Sequence, residues 1–166
     1  NAANCVDAQA IWESASSLWA CSSANANIIY HAAGWMEGGL CASFEKFVID
    51  CEMLQQFAHY HQPVSVTEED LALEAIRAVG PSGHFLGADH TRERYKTAFY
   101  SPFLSDWSNF ESWEQAGAVE TPQRANKIFK EVLAQYEAPP MDAAIREELE
   151  EFVERRKREG GAHTDF

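Results

Sequence analysis

Tyr30 and His31 lie in an uncharged run of β-branched and aromatic residues, 27–33 (NIIYHAA), which leads into the glycine-rich stretch Gly34-Trp35-Met36-Glu37-Gly38-Gly39. A run of this length and composition predicts a strand buried on both faces, as in a parallel sheet. Ligands of parallel α/β folds bind on the loops that follow strand carboxyl ends. Placed there, His31 can give or take a proton and Glu37 can supply a carboxylate to the same pocket. Tyr30 and Trp35 would add aromatic faces. The plainer reading is a histidine hydrogen-bonded to backbone and a glutamate on a solvated loop.

A second candidate is Gly80-Pro-Ser-Gly-His-Phe-Leu-Gly87, which holds His84 and Phe85. Three glycines in eight residues can cradle an anion through backbone amides. The spacing matches neither a Walker A loop nor a dinucleotide fingerprint. The alternative is a turn between helices with Phe85 and Leu86 plugged into the core. His59 and His61, two apart on a predicted helix, point to different faces, and no H-E-x-x-H motif is present. No serine sits in a nucleophile elbow. Cys5, Cys21, Cys41 and Cys51 match no zinc or redox spacing, and they predict free thiols in a reducing, cytoplasmic compartment.

The elements that must position these residues are mostly helical. Asp7 is a good N-cap for a helix to about Ser23, with Ile11, Ala15 and Leu18 on its inner stripe. Ser43 caps a helix to about His61, whose predicted inner face is Phe44, Phe47, Val48, Cys51, Leu54 and Ala58. Thr67-Glu-Glu-Asp70 caps a helix through about Val79, with Leu71, Ala75, Ile76 and Val79 inward. Asp89 caps a short basic helix, and another short helix surrounds residues 110–115. Thr121-Pro122 opens a helix to about Tyr136, and Asp142 caps the last one. Residues 83–86 are weakly strand-like, and the tail from Gly160 is expected to fray.

The 166 residues carry 13 Lys+Arg against 26 Asp+Glu, a net charge of −13. That balance argues against binding a phosphate backbone or an anionic membrane surface. No run approaches the ~20 apolar residues of a membrane span, and the first residues lack the basic and apolar regions of a signal peptide. Charge is uneven: residues 1–65 hold Lys46 as their single Lys/Arg and six acids, whereas residues 121–166 hold eight bases and ten acids. The amino-terminal part reads as interior and the carboxyl-terminal part as surface. A buried parallel strand with few partners is an incomplete sheet, so its neighbours are expected upstream in a longer chain or in a second copy.

Five segments, Asp7-Ala-Gln-Ala10, Ala26-Asn-Ile-Ile-Tyr30, Ala33-Gly-Trp-Met-Glu-Gly-Gly-Leu40, residues 43–50 (SFEKFVID) and residues 80–87 (GPSGHFLG), resemble the trimethylamine methyltransferase family. That family includes glycine betaine methyltransferases lacking pyrrolysine. The resemblance runs in order from Asp7 to the final helix. It implies a (β/α)8 TIM barrel about three times this length. This chain would be its carboxyl-terminal portion, a single partial domain over 1–166, with the last βα units in 7–90 and a helical extension in 91–166. By itself the chain is expected to be predominantly α-helical with one or two short strands. The resemblance implies methyl transfer from trimethylamine, or from a quaternary amine such as glycine betaine, to the corrinoid of a separate corrinoid protein. No cofactor would be bound directly. Catalysis would fall to His31 and Glu37. Contact with the substrate would fall to Tyr30, Trp35 and Phe85, with His84 beside it, because a quaternary ammonium is best held over aromatic faces. Partners would be the corrinoid protein, the amine and further copies of the chain, with no nucleic acid, membrane or metal. The alternatives are a non-catalytic quaternary-amine binding module and a self-assembling helical scaffold.

Overall fold

A computed structural model describes residues 1–160. The chain divides into two compact units, one of Asn1–Val132 and a second beginning at Leu133. The first unit opens with α1 (Ala8–Ser23), capped by the Asp7 carboxylate, which accepts the Gln9 and Ala10 N–H groups. A two-stranded antiparallel ribbon follows, β1 (Trp35–Met36) and β2 (Cys41–Ala42), in the register Trp35↔Ala42 and Met36↔Cys41. A single 3₁₀ turn, Glu37–Gly39, joins the two strands. Ser43 caps α2 (Phe44–Tyr60) by accepting the Lys46 N–H.

Beyond α2 come α3 (Glu68–Leu71), α4 (Leu73–Val79), α5 (Asp89–Arg94), α6 (Phe110–Gln115) and the start of α7 (Thr121–Ala134). Thr67 and Asp70 form a reciprocal capping box at α3. In place of one helix to Val79 there are two, because Ala72 adopts a left-handed conformation with φ +52°. In the second unit Asp142 caps α8 (Ala143–Arg158) through the Ala144 and Ile145 N–H groups. The expectation for the tail falls largely on residues 161–166, outside the described residues.

The chain is therefore predominantly helical, with two short strands, as expected. The strand itself lies elsewhere. Residues 27–33 are irregular, with a turn at Tyr30–His31. Among the described residues no parallel strand is present to pair with this run. An unpaired strand leaves its backbone groups without partners, so β-propensity alone does not hold it. Ile28 and Tyr30 are 72% and 82% exposed. The residues 83–86 also form no strand, and Phe85–Gly87 is a 3₁₀ turn. Leu86 is 81% exposed, so it does not plug a core here. Gly83 is required by close approach, since a Cβ there would stand 2.5 Å from the Val79 carbonyl oxygen.

The core of the first unit gathers Val48, Ile49, Leu104 and Ala125, with Val6, Ile11, Ile128 and Phe129 against them. On α2 the inner face is rotated from the predicted apolar stripe. Buried there are Lys46, Val48, Ile49, Asp50, Glu52 and Met53, whereas Phe44 and Phe47 are mostly exposed. Glu52 anchors the irregular segment before α6. Its carboxylate accepts the Leu104 N–H at 2.5 Å, the Ser105 N–H at 3.1 Å and the Ser105 hydroxyl.

Candidate functional site

The segment between α1 and β1 owes its course to three positive-φ positions, Asn25 at +55°, His31 at +55° and Gly34 at +83°, and Glu37 just after β1 is left-handed too, at +50°. A positive φ strains any residue with a Cβ and persists only where the surroundings fix it. Gly34 is the fixed point. Its N–H donates to the Asp50 carboxylate at 2.8 Å, and its carbonyl accepts the Ser43 N–H at 3.0 Å. A side chain at Gly34 would also press on Phe47, whose Cβ lies 3.1 Å from an added Cβ.

Asp50 is itself buried, with Lys46, one turn earlier on α2. The Lys46 ammonium donates to both Asp50 oxygens at 2.5 Å and to the Ser14 hydroxyl on α1 at 2.7 Å. Side-chain exposure is 0% for Lys46 and 1% for Asp50. Burying two such groups is costly unless they are paired and hydrogen-bonded, as they are here.

Above this pair lies a small cavity of about 140 Å³ whose lining includes Tyr30, His31, Trp35, Glu13, Ser14 and Asp50. The His31 and Trp35 rings are 5.0 Å apart, and those of Tyr30 and His31 6.4 Å. Glu13 is held by the Gln9 side chain at 2.7 Å and the Ala2 N–H at 2.6 Å. Those two hydrogen bonds, the Gln9 one foremost, keep its carboxyl below the ordinary range. The cavity thus offers aromatic faces, an imidazole and a carboxylate to a small ligand. A cation with methyl groups and no N–H donor is the kind of ligand such a wall can hold.

Of the residues singled out from sequence, Tyr30, His31 and Trp35 come together. Glu37 lies on the 3₁₀ turn, outside this cavity, where its N–H donates to the Ala3 carbonyl at 3.0 Å. His84 and Phe85 lie on the segment after α4 and do not line it either. Among the described residues no cluster of His, Cys, Asp or Glu is arranged to hold a metal ion, and no helix is long and apolar enough to cross a membrane. All four cysteines are free.

Sequence reasoning missed Lys46, Asp50 and Ser14. A signal was present: Lys46 is the one Lys or Arg in the first 65 residues, and an acid follows it at i+4 on an apolar helix.

Over residues 1–161 the chain matches the family described as trimethylamine methyltransferase. It belongs to that family. It is 37% identical to the glycine betaine methyltransferase of Desulfitobacterium hafniense (strain Y51), over 97% of this chain and 33% of that protein. It is 34% identical to the trimethylamine methyltransferase MttB of Desulfitobacterium hafniense (strain DSM 10664 / DCB-2), over 93% of this chain and 31% of that protein. It is 33% identical to the trimethylamine methyltransferase MttB2 of Methanosarcina mazei, over 81% of this chain and 27% of that protein. The chain spans about a third of the length of these relatives.

Proposed function

We propose that this chain is the carboxyl-terminal portion of a TIM-barrel methyltransferase that moves a methyl group from a methylated amine to a corrinoid protein. Family membership supports methyl transfer from an amine, and one observation bears on the site. Tyr30, His31 and Trp35 converge on a cavity whose size suits a small methylated ammonium.

In a quaternary donor the breaking C–N bond leaves its electron pair on nitrogen, so the departing tertiary amine is neutral and needs no proton. The electron pair for the new bond comes from the acceptor, the Co(I) corrinoid of the partner protein. The residues of this chain then have two tasks. Tyr30 and Trp35 hold the cationic head against aromatic faces. His31 meets polar or protonatable groups of the donor, and with trimethylamine, which binds protons, it can also set the protonation state. Glu37 and the pair His84 and Phe85 stand on separate segments. They join this reading as groups that complete the substrate pocket from other loops of the barrel. A cytoplasmic, homo-oligomeric enzyme fits the four free thiols and the large exposed apolar surface.

The experiment is an assay of methyl transfer from glycine betaine and from trimethylamine to a Co(I) corrinoid protein, using the intact polypeptide that carries this segment. Turnover with one of these amines is the expected outcome. Tight binding of the amine with no transfer to any Co(I) corrinoid acceptor would instead make the protein a binding module.

A further inference from the structure

We propose that the buried Lys46–Asp50 pair is the positioning element of the methyl-transfer site, fixing through the Gly34 N–H the backbone that carries His31 and Trp35. This rests on the reading of that cavity as the substrate site.

Asp50 spends its two oxygens on one ammonium and one backbone amide, Lys46 at 2.5 Å and Gly34 at 2.8 Å. Lys46 spends its remaining reach on Ser14 of α1. The result is a polar link from α1 through α2 to the loop, whose charged pair is sealed from water. Inside a low-dielectric surround such a network is rigid and tolerates few alternative geometries. Gly34 stands three residues after His31 and immediately before Trp35. The irregular run 27–33 that leads into Gly34 has no strand partner among the described residues, and His31 within it is left-handed. The amide clamp supplies what the loop lacks. A catalytic side chain displaced by about 1 Å can cost on the order of 10²-fold in rate, so such a clamp bears directly on turnover.

Buried ion pairs have a property that makes the idea testable. Replacing both partners with apolar residues of similar volume is often neutral for stability, whereas removing one is not. The variant Lys46→Met/Asp50→Leu therefore keeps a filled interior but leaves the Gly34 N–H without an acceptor. Lys46→Gln/Asp50→Asn is uncharged yet retains hydrogen-bonding groups at both positions. The side-chain amide at position 46 then faces Ser14 and position 50, and the amide oxygen at position 50 still accepts from Gly34. Both are made in the intact polypeptide and compared with His31→Ala. Deuterium uptake is followed by mass spectrometry on the peptide spanning Gly34, alongside kcat and Tm.

The expected result is at least tenfold faster exchange and at least tenfold lower kcat for K46M/D50L, with both restored to within about threefold of wild type in K46Q/D50N. The proposal is overturned if K46M/D50L folds with wild-type kcat. It is also overturned if K46Q/D50N loses kcat tenfold while its Gly34 peptide stays protected, and this arm holds even where K46M/D50L does not fold. His31→Ala separates the two layers. Full activity in His31→Ala overturns the reading of the cavity. Activity lost there but kept in K46M/D50L overturns the positioning role alone.

Discussion

At the scale of single residues, His31 differs from His59, His61 and His90 in what surrounds it. His61 is held by Ser22, with Oγ and Nε2 2.5 Å apart, and its ring stacks with Trp19. His59 leans on Tyr100, and His90 meets the Glu69 carbonyl at 3.1 Å. These are packing and helix-joining contacts. His31 instead sits on a strained backbone with its ring at a cavity wall beside Trp35. With trimethylamine as donor, His31→Ala in the intact polypeptide should lower kcat/KM by roughly 10²-fold, the scale of losing a general acid–base group. His59→Ala and His61→Ala should leave turnover near wild type, with any loss at His61 appearing as a lower Tm. Unchanged kcat/KM and Tm in His31→Ala would make it a turn residue only. Asp70 provides a residue-scale test by pH. The Ser65 and Thr67 hydroxyls and the Thr67 N–H stabilise its carboxylate and hold it down to about 2, against an ordinary 3.8. A depressed folded value means the cap's contribution is fully present above pH 3.8 and is lost as pH falls towards 2. The Asp70 carboxyl carbon, followed by NMR, should titrate near pH 2 with α3 fraying in step. A midpoint at the ordinary value would remove the capping box.

At the scale of elements, helix starts were legible and the burial of helix faces was not. Asp7, Ser43, Thr67 and Asp142 act at the caps where their side-chain chemistry places them, whereas Asp89 does not: it is the first residue of α5, after Ala88, and no side-chain cap bond is made there. Capping is local, so a few neighbouring residues suffice to specify it. The run 27–33 failed as a strand because strand formation is decided by a neighbour, and the sequence of the run contains none. The cavity aromatics were legible as a group because they are close in sequence. Lys46, Asp50 and Glu52 were not, because their partners Ser14, Gly34 and Leu104 lie 32, 16 and 52 residues away. Charges on an amphipathic helix are read as its wet face by default. The consequence for α2 is measurable at Glu52, which is 3% exposed. Glu52→Ala strips acceptors from the Leu104 and Ser105 N–H groups, and the buried orphan left at Leu104 costs about 1–3 kcal/mol. The variant should melt several degrees lower, with faster amide exchange at Leu104 and Ser105. A Tm equal to wild type would show that residues 104–105 are held by packing of Leu104 alone.

At the scale of the whole molecule, the surface carries more large apolar side chains than a monomer in water ordinarily shows. Phe44, Phe47, Ile28, Leu40 and Trp12 are 61, 51, 72, 84 and 60% exposed. On α2 the face buried within the chain is rotated from the predicted apolar stripe, which leaves Phe44 and Phe47 of that stripe open to cover from elsewhere. The isolated 166-residue chain should therefore self-associate at micromolar concentration, seen as a mass above 18.6 kDa in sedimentation. A monomer that unfolds cooperatively would show that these side chains need no cover. The same reasoning governs activity. A barrel site is assembled from loops that follow several strands, and the described residues contribute one cavity wall of Tyr30, His31 and Trp35 on a loop after α1. An open wall gives a methylated ammonium few of the contacts that fix its orientation, and orientation supplies much of the rate in a two-substrate transfer. The isolated chain is thus expected to give no turnover with glycine betaine or trimethylamine and a Co(I) corrinoid protein, under conditions where the intact polypeptide turns over. Turnover by the isolated chain would mean that this one loop, with its Lys46–Asp50 support, already contains a complete site, and the barrel-portion reading would fall.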